Sequence, residues 1–257
     1  MTGNKAPDYV PIEEARHKPG VRIAFTAGVP GPWGIAARAI LDLKGIDYVA
    51  VAQQAGAPNE ALKAWTGQAS APVIMYNDDR PRVLWSEKIV LAEQLKPEPR
   101  LIPEDEDGRM EMFGLCHEIG GDDGLGWNVR LLMTSALSAA QQQQFRSLQA
   151  RYGSHADDAH PRRRVNQILE ALGRRLESQA ARSSRFLVGN SLTAADIYWA
   201  AFSNAFRPMP RELCEMPDFY VALCAAIPSQ LDKAPAEILF DHRDHVVRTY
   251  FRTPIAF

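Results

Sequence analysis

The sequence has 257 residues, 46% hydrophobic and 23% charged, with 29 Lys+Arg against 31 Asp+Glu for a formal net charge of −2. These proportions are ordinary for a globular protein and exclude collagen-like and long disordered chains. A charge this small supplies no basic field for a polyphosphate partner, so nucleic-acid binding is not expected. Residues 1–20, MTGNKAPDYVPIEEARHKPG, form a polar extension that is a tail or a wrapping arm, without the apolar run of a secretory signal. No stretch approaches the roughly 18 apolar residues that span a bilayer, so no membrane partner is expected. The three cysteines, Cys116, Cys214 and Cys224, lack the close pairs of a zinc site. They read as buried thiols in a reducing compartment, which points to the cytoplasm, and no metal is expected.

Val21–Phe25 is a short strand, closed by the turn-rich loop Thr26-Ala-Gly-Val-Pro-Gly-Pro32. Pro32 suits the first turn of a helix that runs to Lys44, and Gly45 is its natural stop. A second strand over 46–51, a short helix over 59–66 and a strand over 71–76 follow. The turn 77–81 leads into a returning strand, 82–85, and Ser86 reads as the N-cap of a helix over 87–95. The order β-α-β-α-β-β-α makes residues 21–96 a small α/β domain.

Residues 97–105 are a proline-rich acidic linker, and 106–257 read as an all-helical domain. Helical segments are expected near 106–119, 126–135, 138–152, 161–181, 193–206, 217–227 and 235–251. Thr193 and Asp196 have the spacing of a capping box, flanked by Leu192 and Ile197 as a hydrophobic staple. That box is a folding device rather than chemistry. His242 and His245, in Asp-His-Arg-Asp-His, read as part of a solvated charged helix face.

This arrangement resembles the glutathione S-transferase superfamily, in which a thioredoxin-like N-terminal domain precedes an all-helical one. The resemblance rests on Gly31-Pro-Trp-Gly34 with the exit at Gly45-Ile46, on Ala71-Pro72-Val73, on Trp85-Ser-Glu-Lys-Ile89, and on the segment Phe186–Ile197 that carries the capping box. It implies glutathione as co-substrate and no metal, a homodimer, and transfer of glutathione to, or its use in converting, a small hydrophobic electrophile. The alternative is a non-catalytic ligand-binding or protein-interaction module on the same fold.

The resemblance also implies the site. Ala71, Pro72 and Val73, with Ala71–Pro72 cis, would present backbone to the cysteinyl unit, and Ser86 with Glu87 would hold the γ-glutamyl end. Catalysis would fall to Thr26 and Trp33; otherwise Thr26 ends a strand and Trp33 is packing. Trp33, Met110, Phe113, His117 and Trp127 would line the pocket for the second substrate, or Met110, Phe113 and His117 would be core at helical spacing. Gly31 stands where the family has Ser or Cys, so a side-chain nucleophile or thiol donor is missing at that position. Trp85 stands where the family has an acidic residue.

Overall fold

The computed structural model describes residues 7–135 and 159–257. The helix expected over 138–152 lies outside them. The described chain forms two compact units: residues up to Ile102 together with 210–217 and 247–257, and residues 103–209 together with 218–246.

The first unit is built on a three-stranded sheet of order β2-β1-β3. Strand β1 (Val21–Thr26) is buried along nearly its whole length, as a central strand covered on both faces must be. It runs parallel to β2 (Tyr48–Gln53), with Thr26 beside Gln53, and antiparallel to β3 (Val73–Tyr76), with Ala24 beside Val73. The returning strand expected over 82–85 reduces to a single bridge between Ile74 and Arg82. Pro81 has no N–H to extend the pairing toward the turn, and a helix already begins at Trp85.

Residues 7–20 are not a loose tail. Helix α1 (Ile12–Ala15) buries Ala15 in one cluster with Ala24, Val51, Leu62 and Val73, against which Val10 and Ile12 also pack. The Val10 N–H donates to Ala50 O at 2.9 Å. The arm thereby caps β2, an edge strand whose backbone groups would otherwise be open to foreign pairing.

Helix α2 (Pro32–Leu43) follows β1, with proline in its first turn and Ile35, Ala36, Ala39 and Ile40 buried. It ends where Gly45 takes φ +58°, a left-handed value that glycine adopts without strain. Helices α3 (Glu60–Thr66) and α4 (Trp85–Leu95) complete the unit. The fully buried Lys44 ammonium pairs with Glu93 at 2.8 Å and donates to Lys96 O and Pro99 O at 2.8 Å each. Leu101 N–H donates to Glu93 Oε1 at 2.7 Å, and Leu101 and Ile102 are buried. The acidic connector is thus anchored at its middle, with residues 97–100 exposed and Leu101 and Ile102 packed. Residues 247–257 join the same unit: Arg38 donates to Ala256 O and Ile255 N–H to Leu213 O, both at 2.7 Å. The sequence reading assigns everything after 106 to the helical domain; these bonds account for the return.

The second unit is all-helical among the described residues. It contains α5 (Glu106–Gly120), α6 (Leu125–Ser135), α7 (His160–Ala180), α8 (Ala194–Phe202), α9 (Asp218–Ala225) and most of α10 (Glu237–Tyr250). Asp105 caps α5 by accepting from Gly108 N–H at 2.7 Å. Every residue of α8 is buried, so it is the axis of the unit. A Cβ on Gly120 would come within 3.0 Å of the Tyr198 ring, so α5 needs glycine there to approach α8. Trp199 donates to Leu239 O at 2.8 Å, which ties α8 to α10. Cys116, Cys214 and Cys224 are buried free thiols, and burial pushes Cys224 up to about 12. Among the described residues no helix is long and apolar enough to cross a membrane, and no cluster fit to hold a metal occurs.

Candidate functional site

Strand register gathers the predicted N-terminal site residues at one end of the sheet. Ala24 pairs with Val73, so the last residues of β1 and the residues just before β3 emerge together, Thr26 among the first and Ala71 and Pro72 among the second. The Ala71–Pro72 peptide is cis. Ile74 and Arg82 exchange backbone bonds at 3.1 and 2.8 Å, so residues 83–85 run toward that same end and deliver the start of α4 there. The loop after Thr26 enters α2 at Gly31. Three segments therefore converge: the start of α2, the Ala71–Val73 backbone, and the first turn of α4.

Each side chain there has its own standing. Thr26 is half-buried, and its hydroxyl donates its single hydrogen to Gln53 Oε1 at 2.8 Å. Gln53 is held by donating to Gln54 O at 2.8 Å and Ala69 O at 3.3 Å. Gly31 is the N-cap of α2 in extended conformation, φ −67° and ψ 121°, and brings no capping side chain. The first N–H groups of a helix lack intrahelical partners, so this end suits an anion. Trp33 is half-buried in that first turn.

At α4 the register is shifted from the expected one. Leu84 is the N-cap and Ser86 the second helical residue, so Ser86 does not cap the helix. Capping falls to Glu87, whose Oε2 accepts from Val83 N–H and Leu84 N–H at 2.9 Å each, while Arg80 donates to Oε1 at 2.6 Å. Although burial works against it, the Leu84 and Val83 N–H groups and Arg80 hold the Glu87 carboxyl below its usual range. Ser86 is half-buried and its hydroxyl bonds to nothing among the described residues. Lys88 was not singled out by the sequence. Its ammonium donates to Val83 O and Leu84 O, and burial pushes it down to about 7 against the opposing pull of Glu87.

Replacing Glu87 with alanine is expected to lower stability by about 1 kcal/mol at pH 7, the worth of a lost cap. A depressed carboxyl stabilises above its unfolded value and loses that contribution as pH falls through the folded one. The difference in melting temperature between wild type and Glu87→Ala should therefore narrow below about pH 4. A difference that persists unchanged into acid would deny the carboxylate this part.

The proposed pocket residues of the helical unit do not form its core. The core face of α5 carries Met112, Cys116 and Ile119. Met110 is 63% exposed and His117 is exposed, while Phe113 is half-buried with the Arg109 guanidinium 5.0 Å above its ring. These three share one side of α5, and the half-buried Trp127 stands on α6. His242 departs from its expected place on a solvated face. It is buried, and its Nε2 lies 2.8 Å from Asp196 Oδ1.

No protein-family model matches the sequence, and no curated protein matches it. Solved structures do match in shape. A glutathione S-transferase from Methylobacterium radiotolerans in complex with glutathione sulfonate aligns over 92% of this chain and 95% of its own, at 18% identity and TM-score 0.63. One from Methylobacillus flagellatus with glutathione bound aligns over 93% and 100%, at 15% identity and TM-score 0.65. The β-etherase LigF from Sphingobium aligns over 86% and 98%, at 18% identity and TM-score 0.57. The chain has the glutathione S-transferase fold. The thioredoxin-like first unit and the helical second unit are the two parts of that fold, as the sequence resemblance implied. Transferases and an etherase share the shape, so the shape leaves the reaction open.

Proposed function

We infer that this chain binds glutathione at the converging end of the first unit's sheet and transfers it to a small hydrophobic electrophile. The observation that carries this reading is the register that brings the start of α2, the backbone at Ala71–Val73 and the unpartnered Ser86 hydroxyl to one place. Two of the solved structures that share the fold hold glutathione or its sulfonate.

Each segment has a chemical task in that reading. Val73 backbone meets the cysteinyl unit. Ser86 donates to the γ-glutamyl carboxylate, with Glu87 holding the turn in place rather than touching the ligand. The free thiol of glutathione, at an unperturbed value near 8.5, is mostly protonated at pH 7, so the site must stabilise its thiolate. The start of α2 offers backbone N–H groups and the positive end of a helix dipole. Thr26, rotating its hydroxyl from Gln53, and Trp33, flanking the sulfur, complete the catalytic set. Trp33 also flanks the second substrate. Glutathione is a co-substrate, no metal takes part, and the reducing cytoplasm suits three buried thiols.

Titration calorimetry with glutathione tests this reading. Binding is expected, and Ser86→Ala should weaken it roughly five- to tenfold, the equivalent of one hydrogen bond. Absence of any binding would overturn it. A second reading, a binding module without turnover, is favoured by the missing side chain at Gly31 and by the bond that already occupies Thr26. Binding with no conjugation of any electrophile would select it.

The reading includes a homodimer. Leu84, 60% exposed, is a large apolar side chain that a second copy would cover. Sedimentation equilibrium at micromolar concentration should give twice the chain mass, and Leu84→Glu should shift it toward the monomer. A monomer in the wild type removes this part.

A further inference from the structure

The helical unit holds a cavity of about 330 Å³, lined by Leu176 and Ala180 of α7, Ser184 and Arg185 of the following turn, and Ile238, Asp241, His242 and His245 of α10. Nothing in the glutathione reading uses it. Its volume lies at the small end of the range of ligand pockets. Leu176, Ala180 and Ile238 supply its apolar lining, and Ser184, Arg185, Asp241, His242 and His245 its polar lining.

Two of those groups lack partners. His242 has its Nε2 on the buried Asp196 carboxylate at 2.8 Å, but its Nδ1, equally buried, has no hydrogen-bond partner. An orphaned buried polar atom is unfavourable unless something else meets it. Arg185 is exposed and makes no ion pair or hydrogen bond among the described residues. His245 stands in the same wall, pushed down first by burial and then by the charges of Arg185 and His242, against the pull of Asp196. Asp241, on the exposed side of α10, is the one acid in the lining.

We propose that this cavity is a binding site for a small monocarboxylate with an apolar tail. The carboxylate pairs with Arg185 and accepts from His242 Nδ1–H. Because Nε2–H is already donated to Asp196, the ring takes up one proton from solvent on binding and lies as an imidazolium between two carboxylates, the ligand in front and Asp196 behind. The tail lies along Leu176, Ala180 and Ile238. Asp241 repels a second negative charge, which selects one carboxylate over two. The Thr193–Asp196 box then serves two ends, fastening α8 and orienting the histidine that faces the ligand.

Octanoate and 1-octanol, two tails of one length with and without the charge, are the probes, titrated calorimetrically into the full chain. Octanoate is expected to bind at least tenfold more tightly than octanol. Arg185→Gln, a change at an exposed residue that leaves the fold intact, should remove most of that preference. Ile238→Trp, which fills the cavity, should abolish binding of both. Binding of octanoate should also shift the ring nitrogen resonances of His242. Equal affinity for the two probes, indifference to Ile238→Trp, or no octanoate binding at millimolar concentration would each overturn the proposal.

Discussion

Asp196→Ala is expected to destabilise the protein by roughly 3–5 kcal/mol, the usual consequence of removing one partner from a buried charged network. Asp196 is completely buried. Its Oδ2 accepts from the Thr193 N–H and the Thr193 hydroxyl at 2.8 Å each, and its Oδ1 accepts from Leu187 N–H at 2.7 Å and from His242 at 2.8 Å. Alanine leaves those donors without an acceptor. A loss of this size lowers the melting temperature by about 6–20 °C for a chain of this length class. Thr193→Ala removes one hydroxyl and should stay near 1 kcal/mol. At temperatures where each variant is folded, glutathione affinity should be nearly unchanged, because the network lies within the helical unit. An Asp196→Ala protein within 1 kcal/mol of wild type would show that the network carries little; one that kept its melting temperature but lost binding would make the box part of the site.

Much of this was legible because local rules and tertiary packing agree at those positions. Pro32 and Gly45 bracket α2 where a missing N–H and a positive φ are wanted, and Thr193 with Asp196 opens α8 as its spacing announces. What stayed hidden depends on partners distant in sequence. Lys44 enters the sequence reading only as the end of a helix, yet oxygens from residues 93, 96 and 99 surround its buried ammonium. Residues 247–257 return to the first unit through bonds such as Arg38 to Ala256 O, and 210–217 is joined to them by Ile255 N–H to Leu213 O; neither leaves a periodic trace. His242 sits among charged neighbours that mimic a solvated face, and only the buried Asp196 explains it. In the candidate site the segments were readable but the register at Ser86 was not. Ser is the better cap by preference, and the competing interaction is the reach of Glu87 back to two N–H groups.

The second large effect expected is at Gly31. Its φ of −67° suits any residue, and a Cβ built there meets nothing within 4 Å, so Gly31→Ser introduces a hydroxyl without strain. In the absence of ligand, serine at an N-cap gains a few tenths of a kcal/mol over glycine. With glutathione bound, the new hydroxyl can donate to the sulfur, and a hydrogen bond to a charged group contributes about 1.5–3 kcal/mol. At about 1.36 kcal/mol per decade, turnover at neutral pH should rise at least tenfold, with the optimum moving to lower pH. Thr26→Val runs the opposite way and is smaller. The Thr26 hydroxyl must leave Gln53, a neutral bond of about 1 kcal/mol, before it serves the thiolate, so its net contribution is what remains. Turnover should fall roughly three- to tenfold at pH 7 and recover as the pH rises and the thiol ionises without help. A pH–rate profile unmoved by Thr26→Val would make Thr26 a strand-end residue fastened to Gln53. No gain from Gly31→Ser, in a protein that still binds glutathione, would place the sulfur away from the start of α2 and leave the binding module as the surviving reading.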